Sequence, residues 1–318
     1  MKTAIIIGIS GQDGTLLKKY LKNKNYTIIG IDNVKIKAQN SNKIKIWNIL
    51  NKQSMKKLFR KVQHSEVYYL AAHHHSSEQN LNKLDFYKLM QQSFKVHVEG
   101  LINLLSAIYE EKSNSRVFYA SSSLIFSGRY GKIQNELTPI EPQGAYGISK
   151  AAGGMIAKEF REKLGLYVST GILYNHESAL RNEHFLTRRV IESAYRISKG
   201  SSEKCVIGNL KAKVDWGYAP NYVKIFHSIL QLKKSDDFIV ASGKLTIVED
   251  FVKAVFKYFN LNWKKYVLES NKKIYRDSLP KSGDIKKLKK FIKSIPNFSL
   301  SKFTELLIKD IIARKKNY

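Results

Sequence analysis

TAIIIGISGQDGT, residues 3–15, reads as a short apolar run, a turn punctuated by glycines and the opening of an amphipathic segment. A parallel strand covered on both faces is apolar throughout, and TAIIIGI (3–9) fits that description. TLLKKYLKNK (15–24) then places Leu16, Leu17, Tyr20 and Leu21 at helical spacing. Between them lies Gly8-Ile-Ser-Gly11-Gln-Asp-Gly14. Glycines at such a turn let the backbone approach a pyrophosphate seated over the helix N-terminus and its unpaired N–H groups. Gly8, Gly11, Gln12, Asp13 and Gly14 are therefore the first expected cofactor contacts. The next apolar run, YTIIGID (26–32), ends on Asp32, eighteen residues past Gly14. A carboxylate there accepts both adenosine ribose hydroxyls and repels a 2′-phosphate, which favours NAD over NADP. Asn48 is placed to reach the adenine.

The same alternation continues outward. Strands are expected at KIKIWNI (43–49), SEVYYLAA (65–72), SRVFYASS (115–122) and LYVSTGILYN (166–175). Helices are expected at SMKKLFRKVQ (54–63), FKVHVEGLINLLSAIYEE (94–111) and SKAAGGMIAKEFREKLG (149–165). Strands alternating with helices predict an α/β fold, a Rossmann-type doubly wound parallel sheet. Beyond about residue 175 the pattern turns irregular. This predicts a smaller, interleaved C-terminal substrate domain (about 175–214 and 243–318) beside a cofactor-binding domain (1–174 with about 215–242).

Lys+Arg 55 against Asp+Glu 26 gives a net charge of +29, which invites a nucleic-acid reading. The basic residues are spread along the chain, however, without zinc-finger spacing or an RNA-binding signature. Compositional bias accounts for them, and no specific nucleic-acid partner is expected. A single cysteine, Cys205, excludes an internal disulfide and is read as a core residue. With no long apolar segment or signal-like start, a cytoplasmic protein that does not meet a membrane is expected. The triple histidine 73–75 is not read as a metal site, because adjacent side chains on an extended segment point to opposite faces.

Tyr146 and Lys150, in GAYGISK, are four residues apart and so share one helix face. An ammonium beside a phenol stabilises the phenolate and makes it a usable general base. Tyr20/Lys24 and Tyr195/Lys199 have the same spacing. Only the Tyr146 pair follows a strand that ends in a serine cluster, 121–123, where a hydroxyl can bond the same substrate oxygen.

At these residues the chain resembles the extended short-chain dehydrogenases/reductases, and within them the GDP-mannose 4,6-dehydratase family. GISGQDGTLL, YYLAAHHHSS, ASSSLIFSG and AYGISK carry the likeness, and ILYNHESALRNEHFLTRR (172–189) and GNLKAKVDWGYAPNYV (208–223) are its most specific stretches. The resemblance implies Ser122, Tyr146 and Lys150 as catalytic residues. It implies cofactor contacts at Ile49, Leu70, Ala71 and Ala72, and also at Tyr146 and Lys150. Asn175, Thr187 and Arg188 match positions near a nucleoside-diphosphate sugar. Glu177 is open between a binding role and a structural one. Asp215-Trp216 is expected to anchor interdomain packing, and a homodimer or homotetramer is expected.

Three features depart from the family pattern: Leu124, Val214 and the run His73-His74-His75, which replaces a more usual mix after Ala71-Ala72. The glutamate expected two residues after the catalytic Ser/Thr is Leu124, and leucine accepts a proton at no pH. Val214 stands where an arginine would help hold the diphosphate, so Arg181 and Lys213 are the candidates to supply that charge. The resemblance therefore implies hydride transfer at C4 of a GDP-linked sugar by a dehydrogenase, 4-keto reductase or epimerase. A working dehydratase with a substituted base, His73 or His74, is the alternative. A non-catalytic dinucleotide- or nucleic-acid-binding protein on the same fold is the remote one.

Overall fold

The computed structural model describes residues 2–32, 48–73, 83–270 and 279–316. They form β1 (Thr3–Ile7), α1 (Gln12–Lys22), β2 (Thr27–Ile31), α2 (Lys52–Lys61), β3 (Glu66–Tyr69), α3 (Lys83–Phe94), a π-helical turn (Lys95–Glu99), α4 (Gly100–Glu110) and β4 (Arg116–Ser122). Next come a 3-10 turn (Ser123–Ile125), β5 (Ile133–Gln134), α5 (Gly144–Leu164), β6 (Val168–Leu173), β7 (Asn175–Glu177), α6 (Leu186–Ser198), β8 (Cys205–Ile207) and β9 (Lys213–Tyr218). The chain continues with α7 (Ala219–Leu230), β10 (Asp237–Val240), β11 (Leu245–Ile247), α8 (Val248–Tyr258) and α9 (Trp263–Tyr266). After these come β12 (Val267–Glu269), β13 (Ser282–Gly283), α10 (Lys286–Phe291) and α11 (Leu300–Lys316).

Six strands pair in parallel in the order β10-β6-β4-β3-β1-β2. Burial of both faces is why these strands read as unbroken apolar runs. One face is covered by Leu17 and Leu21 of α1 with Val223, Phe226 and Ile229 of α7. The other takes Met55, Leu58 and Phe59 of α2, Leu101, Leu104 and Ile108 of α4, and Ala157 of α5. β2 and β3 flank β1 on opposite sides, so the winding reverses there, and a crevice opens beyond the strand carboxyl ends. This is the expected α/β architecture. The strand expected at 43–49 falls mostly outside the described residues.

Two helices differ from expectation. The one expected from residue 149 begins at Gly144, whose φ of +69° turns the chain from extended Gln143 into the helix. The one expected over 94–111 starts at Lys83 and is broken by the π turn, which no feature of hydrophobic spacing announces. Away from the sheet, α6, α8 and α11 enclose a separate apolar cluster that includes Trp216 and Cys205. Cys205 is a buried core thiol, as expected. Among the described residues no helix is long and apolar enough to cross a membrane.

Asp215, on β9, joins the segments around the crevice. Its carboxylate is 1% exposed and accepts bonds from the Ser242 N–H (2.9 Å) and hydroxyl (2.6 Å), the Gly243 N–H (3.1 Å), the Ser282 hydroxyl (2.9 Å) and the Gly283 N–H (3.1 Å). Burial pushes the carboxyl up, and these donors pull against it. Asp215→Asn would turn an amide N–H toward donors. It is expected to destabilise by about 2–4 kcal/mol, read as a lower urea midpoint with an unchanged slope.

Candidate active site

The crevice is a cleft of about 990 Å³. Its floor is the turn after β1. Gly8 has φ +86°, and a Cβ on it would lie 2.7 Å from the Ala71 nitrogen. A Cβ on Gly14 would lie 2.2 Å from the Gly8 oxygen. Only glycine therefore lets this turn, β3's end and α1 come together. No side chain caps α1, leaving its first N–H groups directed at the cleft. Asp32 follows β2 and accepts the Ser10 N–H at 3.0 Å and the Ser10 hydroxyl as well. Asn48, Ile49, Leu70, Ala71 and Ala72 line the same end.

α1's first turn is also tied to β7. Asp13 Oδ2 lies 2.9 Å from His176 Nε2, and His176 Nδ1 lies 2.7 Å from the Tyr174 carbonyl. Burial opposes both charges, yet His176 holds the Asp13 carboxyl below its ordinary value, and Asp13 holds the imidazole above its own. Gln12 donates to the His176 carbonyl at 3.1 Å and accepts from the Ser178 hydroxyl at 2.8 Å. Sequence reading overlooked His176. Its one signal was that it sits inside NHES, between two residues that were singled out.

Ser122, Tyr146 and Lys150 meet on the wall across the cleft. Tyr146 and Lys150 stand on successive turns of α5, with Nζ 5.7 Å from the Tyr146 ring centre. Lys150 is 1% exposed and donates to the Ala120 carbonyl at 2.7 Å. Burial brings its ammonium down to about 7, although Asp13 pulls the other way. Ser122 ends β4. Its Oγ accepts the Leu124 N–H at 3.2 Å, which leaves the hydroxyl proton to donate into the cleft. The arrangement can deprotonate a hydroxyl and hold the resulting oxygen.

Asn175, Glu177, Arg181, Thr187, Lys213 and Val214 also line the cleft, while Leu124 lines it next to Ser122. Buried Glu177 accepts from Thr187 Oγ1 at 2.7 Å and meets Arg181 at 3.4 Å, so it braces this lining. Arg188 is the expected residue that is not brought in. Its Nε donates to Glu192 at 2.7 Å and its Nη1 to the Arg181 carbonyl, because i,i+4 pairing along α6 turns it away from the cleft. Lys95, His184 and Lys281 line the cleft without having been foreseen. Lys281 donates to the Phe126 carbonyl from 155 residues away, a proximity only the fold creates. His73 reaches the wall, while His74 and His75 lie outside the described residues. Among the described residues no three His, Cys, Asp or Glu side chains could hold a metal.

A family model described as GDP-mannose 4,6 dehydratase matches residues 5–290. GDP-mannose 4,6 dehydratase 2 of Arabidopsis thaliana is 32% identical over 331 residues, covering 96% of this chain and 86% of that protein. GDP-mannose 4,6-dehydratase of Yersinia enterocolitica is 29% identical, covering 80% of this chain and 71% of that one. Among solved structures, dTDP-glucose 4,6-dehydratase of Bacillus anthracis in complex with NAD superposes with a TM-score of 0.80. Identity there is 16%, and coverage is 99% and 98% of the two chains. UDP-glucose 4-epimerase of Thermotoga maritima gives 0.80 at 18% identity, over 99% and 100%.

Proposed function

This chain belongs to the GDP-mannose 4,6-dehydratase family, and from that premise we propose an NAD-dependent enzyme that moves hydride at C4 of a GDP-linked sugar without completing the dehydration. The observation that carries this is in the lining of the cleft. Ser122, Tyr146 and Lys150 all line it, and so does the residue two places after Ser122, which is leucine. Residues suited to C4 redox chemistry line the cleft, and among the described residues no carboxylate stands at position 124 to abstract the C5 proton.

The floor of the cleft fits the dinucleotide. The Gly8 and Gly14 approach leaves backbone where a Cβ would intrude, and Asp32 stands where adenosine ribose hydroxyls would displace Ser10. Gly8, Gly11 and the first turn of α1 would hold the pyrophosphate, with Asn48, Ile49, Leu70, Ala71 and Ala72 around the adenosine. A volume near 990 Å³ is at the upper end for ligand pockets, as two nucleotides end to end require. NAD, when bound, supplies the hydride acceptor. Tyr146, as phenolate, takes the C4 hydroxyl proton, Lys150 stabilises that phenolate, and Ser122 donates to the same sugar oxygen.

Residues 1–174 and about 215–242 make up the cofactor part in this reading, and the remainder receives the sugar nucleotide. Asn175 faces the diphosphate, with Arg181 and Lys213 supplying the charge that Val214 lacks. Ile102 and Tyr109 of α4 and Ile148 and Met155 of α5 are exposed, which supports a subunit interface on those helices. His73, on the cleft wall, is the group through which a completed dehydration would run in the second reading.

The test uses GDP-mannose and a GDP-manno-heptose deuterated at C4, with product and cofactor analysed by mass spectrometry. Deuterium is expected on the cofactor while the sugar keeps every oxygen. Tyr146→Phe should reduce that transfer by about 10²–10⁴-fold and still bind NAD. A product lighter by one water would sink the reading, as would the absence of transfer with any GDP-sugar.

A further inference from the structure

The π turn sets a histidine behind the tyrosine. His97 is fully buried, and its ring meets that of Tyr146 edge to face, with centroids 5.3 Å apart and planes at 87°. Its Nε2 accepts the His73 N–H at 3.1 Å. A backbone N–H can only donate, so the ring proton sits on Nδ1, which lies 2.8 Å from Ser149 Oγ. Ser149 in turn donates to the Ala145 carbonyl at 2.8 Å, and the Tyr146 carbonyl lies 3.1 Å away. Every donor in this chain has an acceptor when the imidazole is neutral.

The surroundings fix the histidine itself. The buried Tyr69 hydroxyl, at the end of β3, donates to the Val96 carbonyl inside the π turn. A Cβ on Gly153 would lie 2.8 Å from the His97 oxygen, so α5 packs directly on that turn. π turns gather at functional sites because they re-aim one side chain within a helix. Here the re-aimed side chain reaches two segments that line the cleft, the stretch through His73 that follows β3 and the first turn of α5.

We infer that His97 is a positioning residue: it holds the Tyr146 ring and the His73 backbone in register across the cleft, through its ring contact and its two hydrogen bonds. This rests on reading Tyr146 as the base. The ring touches no substrate in this role. It removes freedom from the group that does, and a displacement of the order of 1 Å costs about 10²-fold in rate.

The two bonds can be separated. Asparagine places an amide near imidazole Nδ1, and glutamine places one near Nε2. His97→Asn therefore keeps the Ser149 link and His97→Gln the His73 link, while Ser149→Ala removes the first without opening a cavity at 97. Two readouts apply to the holoenzyme well below its Tm. One is kcat against KM for the C4-hydrogen transfer. The other is the Tyr146 phenol titration, taken as the ultraviolet difference from Tyr146→Phe, which requires no sugar.

Ser149→Ala and His97→Gln are expected to lose about 10–100-fold in kcat at nearly constant KM and to shift the Tyr146 titration. His97→Asn, which loses the ring contact and the His73 bond, should lose comparably in both readouts. Folded variants with unchanged kcat and an unmoved titration would overturn the positioning role and leave the proposed function standing. A shifted titration in an enzyme that turns over no GDP-sugar would support the positioning role and overturn the proposed function. Loss of Tm alone, with both readouts constant, would reduce His97 to packing and overturn the inference.

Discussion

Lys150→Met is expected to lose about 10²–10⁴-fold in turnover and to fold at least as stably as the parent. Lys150 is buried, and burial brings its ammonium from an ordinary 10.5 to about 7. A drop of that size corresponds to about 4–5 kcal/mol of unfavourable burial of the charged form. Methionine has nearly the same length and no charge to desolvate. It forfeits the bond to the Ala120 carbonyl, which offsets about 1–3 kcal/mol of the gain. The sign with pH follows from the depressed value. Between about 7 and the unfolded value near 10.5 the unfolded chain binds the extra proton, so the parent gains stability as pH rises through that window. The Tm advantage of Lys150→Met should therefore be largest at or below neutral pH and shrink toward pH 10. Thermal melts at several pH values, beside the C4-transfer assay, check both halves. An inactive variant that is also much less stable at pH 7 would mean that Lys150 is a structural ion and not a base partner held at a thermodynamic disadvantage.

The fold was legible because two-sided burial writes itself into sequence. Ile5, Ile6 and Ile7 of β1 and Val67, Tyr68 and Tyr69 of β3 are apolar on both faces, and their helices carry the 3.6-residue stripe. Tyr146, Lys150 and Ser122 were legible because their chemistry is local, one helix turn and one strand end. What escaped depends on distant pairings. Asp13 finds His176 across 163 residues, and Lys281 finds Phe126 across 155. Nothing in either local pattern anticipates the partner. The π turn escaped for another reason: it is fixed by Tyr69's hydroxyl and by the closeness of α5, which are tertiary facts. Arg188 does not line the cleft because a motif match gives a position along the chain and not a rotamer, and Glu192 one turn on sets its direction.

Leu124→Glu is the substitution expected to change the outcome of the reaction. Leu124 is half-buried on the cleft wall, its N–H is bonded to Ser122 Oγ, and its own carbonyl lies 2.6 Å from where a Cβ on Gly147 would be. Position 124 therefore lies between Ser122 and the first turn of α5, which carries Tyr146, and lines the cleft. That is a tolerable place for a carboxylate, since a helix N-terminus favours negative charge. Once C4 is a ketone, the C5 proton is acidic, and elimination needs a base to take it while the C6 hydroxyl departs as water. A general base is worth about 10²–10⁴-fold, enough to bring a slow step within reach of the preceding oxidation. In deuterated water the parent is expected to return sugar with no deuterium at C5, because the residue at position 124 cannot remove that hydrogen. Leu124→Glu should return sugar labelled at C5 together with a product lighter by one water. Label at C5 in the parent would mean that another group, with His73 the first to replace, already serves as the base. No label in the variant would mean that C5 does not face position 124, and the argument from the missing carboxylate would fall with it.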